Sequence, residues 1–122
     1  MAALAQSWER FYRATLEDFM GPHGPDLVRR FRRLEEKGAI EIITCGATHG
    51  YLPLLGRESA VEGQVRVART THRRHFGRDP RGIWLPECAY RPAGPWASPI
   101  EKDAPASPRR GIEEGLEANG LR

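Results

Sequence analysis

The stretch IEIITC, residues 40–45, is rich in β-branched residues and lies between Gly38 and Gly46. A short apolar run bounded by glycines predicts a largely buried strand of the kind found in parallel sheets. A second stretch, GIWLP at residues 82–86, predicts another strand. Its Pro86 must lie at a strand end or a bulge, because proline removes a ladder donor. These two strands decide the fold class.

The segment between the two strands predicts a helix. Ser59 and Glu62 have the spacing of a capping box, and Gly77 and Pro80 are placed to stop the helix. A strand, a helix and a second strand in this order predict a right-handed crossover between parallel neighbours. One face of the helix is apolar, with Val61, Val65, Ala68 and Phe76 at helical spacing.

Two further helices are predicted before the first strand. Bulky apolar residues recur at helical spacing from Trp8 to Phe19, and the glycines and prolines that follow cannot continue that helix. The second helix has Asp26 as its N-cap and Gly38 as the residue after its C-cap. The sequence therefore predicts a pair of helices leading into the sheet.

The segment after the second strand is rich in proline. Five prolines between residues 92 and 108 predict a long loop without regular structure, and loops of this length tend to be functional. Ser107 and Pro108 fit the N-cap and first turn of a last helix that Gly120 stops. The predicted order is α-α-β-α-β-α in an α/β fold with parallel strands. Two strands cannot close a barrel, so residues 1–122 are expected to be a slice of one larger domain.

The composition places the chain among globular proteins. Of its 122 residues, 39% are hydrophobic and 29% are charged. No apolar run reaches the ~20 residues that span a bilayer, and the N-terminus lacks the pattern of a signal peptide. We therefore expect no membrane partner and a cytoplasmic location.

The formal net charge is +3, and the placement of the arginines matters more than their total. They are scattered over predicted helix faces, several beside glutamates, and no stacking aromatic residues interleave with them. This pattern favours solvated helix faces over a nucleic-acid surface, so no nucleic-acid partner is expected.

The cysteines and histidines are too dispersed for a metal motif. Cys45 and Cys88 fit no finger or disulfide spacing and are predicted to be small buried thiols. They converge with His49 if the strand ends are adjacent, but ligand pairs at short fixed spacing are absent. No metal and no cofactor are expected, and Cys88 is predicted to pack behind Glu87.

Candidate functional residues follow each predicted strand. His49 comes after the first strand and Glu87 after the second, and the carboxyl ends of adjacent parallel strands lie ~4.8 Å apart, which predicts a shared pocket. Trp84 and Tyr90 flank Glu87, as suits a saccharide site in which aromatic rings stack on sugars and a carboxylate attacks. The residues alone leave open a solvated or salt-bridged Glu87, a structural His49 and a core-packed Tyr90.

Two stretches of the sequence resemble a known family. GIWLPECAYRP, residues 82–92, resembles the third sequence region of glycoside hydrolase family 57, most closely that of its 1,4-α-glucan branching enzymes. The stretch IEIITCGATHGYLPLL, residues 40–55, is similar to the second region, and residues 73–78 fit between the two. The resemblance runs from Phe11 to Arg122.

The resemblance implies an incomplete (β/α)7 barrel that acts with retention of configuration. Glu87 is then the nucleophile, His49 lines the donor-sugar subsite, and Tyr90 is a wall of the pocket, with core packing as the alternative. Residues 1–122 would be a fragment of the catalytic barrel without its first strand and C-terminal part.

Two family features have no counterpart in this sequence. The histidine motif of the first strand is absent before Trp8, and the region with the acid/base aspartate is expected beyond Arg122. Asp79 is expected before the second strand, at the end opposite Glu87, and Asp103 lies in the proline-rich loop and matches no family motif. A retaining mechanism needs two carboxyl groups, so the chain by itself is expected to be inactive.

The function implied is 1,4-α-glucan branching. An α-1,4 bond is cleaved, the glucan is held covalently on Glu87, and it is passed to a 6-hydroxyl of glycogen, amylose or a maltooligosaccharide. A family 57 α-amylase or 4-α-glucanotransferase shares this chemistry, and a non-catalytic carbohydrate-binding module is an alternative from another class. Folding is expected to require the remainder of the catalytic domain.

Overall fold

The structure is a computed structural model that describes residues 2–22, 24–101 and 103–121. The chain divides into two compact units, one ending at Glu41 and the other beginning at Ile42. The first unit is helical, and the second contains both helices and strands. None of the helices in the described residues combines the length and the apolar composition that a membrane span requires.

The first unit consists of helices α1 (Ala2–Met20) and α2 (Leu27–Glu36). The ends of both helices confirm the predicted pair. The carboxylate of Asp26 accepts the Arg29 N–H at 2.9 Å, which satisfies one of the free donors at the start of α2. Gly38 follows the C-cap of α2 with φ of 69°, a left-handed conformation that glycine adopts without steric cost.

One arginine of α2 is not the solvated side chain that the charge pattern predicted. Nη2 of Arg30 donates to the carbonyls of Asp18, Phe19 and Gly24 at 2.9, 3.1 and 3.0 Å. These carbonyls lie at the end of α1 and in the turn after it, where helix geometry leaves acceptors without intrahelical partners. Arg30 therefore holds the connection between the two helices.

The second unit begins with two short strands, β1 (Thr44–Cys45) and β2 (Ile83–Trp84). They pair in parallel, as predicted, with Thr44 opposite Ile83 and Cys45 opposite Trp84. Both strands are shorter than predicted: β1 lacks residues 40–43 of the predicted run, and β2 ends before a short 3-10 turn begins at Pro86. Within the described residues β1 pairs on one side only, so it is half-buried at most and not the buried strand expected.

Helix α3 (Glu58–Phe76) crosses between these strands. Val61, Val65 and Ala68 are buried as predicted, and His72, which the apolar pattern did not include, continues the same face at 4% exposure. The helix ends at Gly77, whose φ is 75°. Its apolar face thus lies against the rest of the second unit.

The predicted capping box of α3 is wrong. The helix begins at Glu58, and the preceding Arg57 makes no side-chain cap. The carboxylate of Glu58 forms an ion pair with Arg109, which lies far along the chain, and accepts the Arg110 N–H at 3.2 Å, while Glu62 pairs with the Arg110 guanidinium at 3.3 Å. Glu62 therefore serves a tertiary ion pair in place of a local cap.

Strands β3 (Gly94–Trp96) and β4 (Ser107–Arg109) replace part of the predicted loop. They pair antiparallel, with Pro95 opposite Pro108. Facing residues in such a pair alternate between hydrogen-bonded and non-hydrogen-bonded positions, and two prolines fit the second kind without loss of a ladder bond. The predicted order α-α-β-α-β-α is therefore incomplete, and these two strands are not parallel.

The last helix, α4 (Ile112–Ala118), begins later than predicted. Ser107 and Pro108 belong to β4 and do not cap it. Gly111 precedes the helix, and the Glu114 carboxylate accepts its N–H at 3.0 Å. Ile112 is fully buried and packs with Leu52 and Val61 in the core, with Leu55, Leu85 and Leu116 partly buried against them. This small core supports the segments that follow β1 and β2.

Candidate functional site

The site lies where β1 and β2 end. The turn after β1 carries His49, and the 3-10 turn Pro86–Cys88 after β2 carries Glu87. His49 Nε2 is 3.5 Å from Glu87 Oε1, and the two side chains are 55% and 71% exposed. The structure thus brings together the two residues that the strand-end argument paired, and both remain open to solvent.

Backbone strain is concentrated at this site. Among residues 2–22, 24–101 and 103–121, the non-glycine residues with positive φ are His49 at 55°, Glu87 at 57° and Cys88 at 53°. For L-residues the left-handed region costs roughly 1–2 kcal/mol each. Strain of this kind persists where surrounding contacts impose it and is typical of functional sites. All three strained residues belong to the His49–Glu87 pair or adjoin it.

The turn that carries His49 is held by Gln64 of α3. The Gln64 side-chain oxygen accepts the Thr48 N–H at 2.9 Å, and its nitrogen donates to the Thr48 hydroxyl at 2.8 Å. The Ala47 N–H also donates to the Gln64 main-chain carbonyl at 3.3 Å. Sequence reasoning missed Gln64 because a polar residue beside an apolar helix face carries no local signal of its partner.

Gly46 allows the two strand-end turns to approach each other. A Cβ at this position would lie 3.3 Å from Pro86 Cγ and 3.6 Å from Gln64 Oε1. The His49 N–H donates to the Gly46 carbonyl at 2.9 Å, which closes the turn. The absence of a side chain at Gly46 therefore lets the His49 turn pack against the Glu87 turn.

Neither cysteine is the buried thiol predicted. Cys45 is half-buried, and its Sγ lies 3.0 Å from His49 Nδ1. Cys88 is exposed, so it does not pack behind Glu87. Its left-handed backbone belongs to the same strained turn as Glu87. No group of three or more His, Cys, Asp or Glu side chains able to hold a metal occurs in the part of the chain that the structure describes.

Tyr90 is neither core-packed nor in the His49–Glu87 contact. Its ring is 54% exposed, and its hydroxyl forms a hydrogen bond with the carboxylate of Glu113 on α4. That hydrogen bond, with partial burial and the negative charge of Glu113, raises the pKa of Tyr90. The phenol therefore stays protonated and its ring is tethered to α4. Trp84 is half exposed.

An open groove of about 480 Å³ lies beside the strands, on the α3 side of β1. Neither His49 nor Glu87 lines it, although Cys45 does, so the groove adjoins the site at Cys45. Its wall is mostly apolar or aromatic and includes Cys45, Ala68, His72, Phe76 and Trp84.

Asp79 cannot serve as the acid partner of Glu87. Arg69 and Arg73 both form ion pairs with its carboxylate, Arg69 through two hydrogen bonds of 2.8 and 3.0 Å. These hydrogen bonds, with the charges of both arginines, hold the pKa of Asp79 far below its usual value. A general acid needs a raised pKa, so this carboxylate has the wrong protonation state. Arg69 also donates to the Asn119 carbonyl at 3.0 Å, so the cluster is a structural tie to the end of α4.

Comparison with known proteins gives one consistent result. Residues 10–122 match the family described as Glycosyl hydrolase family 57. The chain is 45% identical over 118 residues to the 1,4-alpha-glucan branching enzyme TK1436 of Thermococcus kodakarensis. That match covers 97% of this chain and 17% of the relative, so the chain spans about a sixth of the relative's length.

Solved structures agree with the sequence match. The crystal structure of TK1436, in complex with glucose and additives, matches with a TM-score of 0.84. The superposition covers 95% of this chain and 20% of the TK1436 chain. The branching enzyme of Pyrococcus horikoshii is 42% identical with a TM-score of 0.85, over 94% of this chain and 21% of that one. The α-amylase AmyC of Thermotoga maritima is 27% identical with a TM-score of 0.68, and the match covers 98% of this chain and 20% of the AmyC chain.

Proposed function

Because this chain belongs to glycosyl hydrolase family 57, we propose that it supplies the nucleophile of an α-glucan-active enzyme and that the reaction is 1,4-α-glucan branching. The observation that carries this proposal is the contact of 3.5 Å between His49 and Glu87 at the ends of two parallel strands. Working residues of parallel α/β folds lie at such strand ends.

Glu87 attacks the anomeric carbon of an α-1,4-linked glucosyl unit. The bond to the leaving glucan breaks, a glucosyl-enzyme forms on the Glu87 oxygen, and a 6-hydroxyl of a second glucan then displaces it with net retention. The 71% exposure of the carboxylate supports this role, since a polysaccharide must reach the attacking oxygen from solvent. The left-handed backbone of Glu87 and Cys88 also supports a catalytic role for this turn, because strained residues cluster at active sites.

His49 and Tyr90 contribute to the donor-sugar subsite in this proposal. His49 faces Glu87 through Nε2 and orients the carboxylate beside the donor sugar. Tyr90 presents an exposed ring whose hydroxyl is tied to Glu113, so the ring is a fixed wall on which a sugar can stack.

The second carboxyl of a retaining pair stands ~5–5.5 Å from the first and acts as acid and then as base. Asp79 is unsuitable, and we assign this role to a part of the catalytic domain outside the described residues. The same domain would complete a barrel around β1 and β2. Large apolar side chains that are exposed here support its existence, including Ile43, Leu54, Val67 and Trp84 in the second unit.

Branching is favoured over hydrolysis by the comparisons. Identity to two branching enzymes is 45% and 42%, with TM-scores of 0.84 and 0.85, against 27% identity and a TM-score of 0.68 for the α-amylase AmyC. Hydrolysis by an α-amylase would use the same nucleophile with water as acceptor. The α-amylase reaction is therefore the second candidate.

A chimera tests the proposal. The segment of TK1436 that matches this chain is replaced by residues 10–121, and branching is assayed on amylose. We expect the chimera to form α-1,6 branches, and Glu87→Gln to reduce the rate by roughly 10⁴-fold or more, as for other nucleophiles. Glu101→Gln, in the exposed proline-rich segment, is the matched control and should leave the rate unchanged. Undiminished branching in Glu87→Gln would end the proposal, and maltooligosaccharide hydrolysis without branching would favour the amylase alternative.

A further inference from the structure

We propose that Cys45 is a positioning residue for the nucleophile, acting through His49. This inference rests on the proposed function of Glu87. Sγ of Cys45 lies 3.0 Å from Nδ1 of His49, and Nε2 of the same ring lies 3.5 Å from Oε1 of Glu87. The imidazole therefore bridges a thiol at the end of β1 and a carboxylate in the turn after β2.

When the imidazole is neutral, the donors and acceptors of these three groups allow one arrangement in which both contacts are paired. A neutral imidazole has one N–H donor and one acceptor nitrogen, and an ionised carboxylate only accepts. Each contact has one donor and one acceptor when the Cys45 thiol donates to Nδ1 and the proton on Nε2 points at Glu87. With the proton on Nδ1, the lone pair of Nε2 would face the negative carboxylate. The thiol thus holds the ring in the tautomer and orientation that Glu87 requires.

The surrounding contacts show that the Cys45–His49 approach is imposed by the fold. The left-handed backbone of His49 turns its ring back toward Cys45, four residues earlier. Gln64 holds the preceding Thr48 by two hydrogen bonds, and the His49 N–H is bound to the Gly46 carbonyl. With the backbone before the ring held by these contacts, one further contact is needed to fix the rotation of the ring, and Cys45 supplies it.

Serine and alanine at position 45 separate positioning from packing. Cys45→Ser keeps a donor of similar size, whereas Cys45→Ala removes it. The loss of one hydrogen bond of this kind corresponds to about a 3- to 10-fold change. In the chimera we expect Cys45→Ala to lower kcat by that factor with KM nearly unchanged, and Cys45→Ser to recover most of the loss. In a His49→Gln background, Cys45→Ala should add less than about twofold, because its effect passes through the ring.

A second readout does not depend on activity. The ring nitrogens of His49 are recorded by ¹⁵N NMR in the chimera, about one pH unit above the ordinary imidazole pKa of about 6.5. His49→Gln identifies the signals. We expect the proton on Nε2 and an Nδ1 resonance shifted by hydrogen bonding, retained in Cys45→Ser and moved to the position of a free acceptor nitrogen in Cys45→Ala.

A proton on Nδ1 in the parent, or an Nδ1 resonance unchanged in Cys45→Ala, would overturn the inference. An additive effect of Cys45→Ala in the His49→Gln background would do the same, because it would mean a general packing role. Full activity in Glu87→Gln would instead end the proposed function and leave the nitrogen result standing. The two failures are therefore distinguishable.

Discussion

The side chain of Gln64 forms two hydrogen bonds with Thr48, of 2.9 and 2.8 Å, and so connects helix α3 to the turn that carries His49. The helix is fixed in turn by its buried face and by the ion pair between Glu58 and Arg109 of β4. The position of the strained, exposed His49 thus depends on helix α3. This arrangement is typical of functional sites, where the surrounding structure imposes the strain.

Replacement of Gln64 should therefore reduce activity without removing any group that contacts substrate. In Gln64→Leu the Thr48 N–H and hydroxyl lose their partners, and we expect a loss of about 10-fold in kcat in the chimera. Gln64→Glu can still accept from both Thr48 groups and should retain most of the rate. Equal rates for the leucine variant and the parent would mean that the turn holds its shape without Gln64.

Gly46 should not tolerate a methyl group. Its Cβ would lie 3.3 Å from Pro86 Cγ, and Pro86 is fully buried, so the two strand-end turns must separate. We expect Gly46→Ala to cost roughly 1–3 kcal/mol and to lower the melting temperature of the chimera. Gly63→Ala is the control, because nothing lies within 4 Å of its Cβ and alanine favours the helix. A stable, fully active Gly46→Ala variant would contradict the close approach.

The Asp79 ion pairs should make stability depend on pH in the acid range. Arg69 and Arg73 lower the pKa of Asp79 in the folded state, so their stabilisation is fully present above the unfolded pKa of about 3.9 and is lost as pH falls through the folded value. The stability of Asp79→Asn should consequently fall less steeply below about pH 4 than that of the parent. Melting temperatures of the chimera and of its Asp79→Asn variant, measured as the pH is lowered, test this prediction.

Glu36→Gln provides the control for that series, since the Arg32–Glu36 pair is a surface pair on α2 with side chains that are 49% and 60% exposed. Pairs of this kind contribute little to stability. Its pH profile should follow the parent's. A parent profile identical to that of Asp79→Asn would rule out the Asp79 cluster as a structural tie.

The chain in isolation should lack a cooperative melt. Both units expose large apolar side chains, including Trp8, Phe11 and Phe31 in the first and Ile43 and Leu54 in the second. Surfaces of this kind associate or need a covering partner. We expect a broad thermal transition, binding of a hydrophobic dye and concentration-dependent association. A sharp, reversible melt of a monomer would contradict the proposal that further parts of a catalytic domain complete the fold.

Several features that follow from local sequence were predicted correctly. Asp26 caps α2, Gly38 and Gly77 end their helices, and β1 and β2 pair in parallel. Capping, left-handed glycines and strand-helix-strand order depend on residues close in sequence, which makes them readable there. The shared edge of the two strands then places His49 opposite Glu87.

The features that depend on distant partners were not predicted. Pro95 and Pro108 lie opposite each other in the antiparallel pair of β3 and β4, and the sequence around either proline alone does not indicate a strand. Glu62 forms an ion pair with Arg110 instead of capping α3, and Gln64 hydrogen-bonds to a turn 16 residues away. Such contacts are set by tertiary structure, which overrides local propensity.

The most direct test of the central claim is to trap the glucosyl-enzyme on the chimera with a fluorinated α-glucosyl fluoride. Fluoride leaves without help from an acid, so labelling reports the nucleophile alone. Peptide mass spectrometry should locate the sugar on Glu87, and Glu87→Gln should remain unlabelled. A label on any other carboxylate, or equal labelling of Glu87→Gln, would contradict the assignment of Glu87 as the nucleophile.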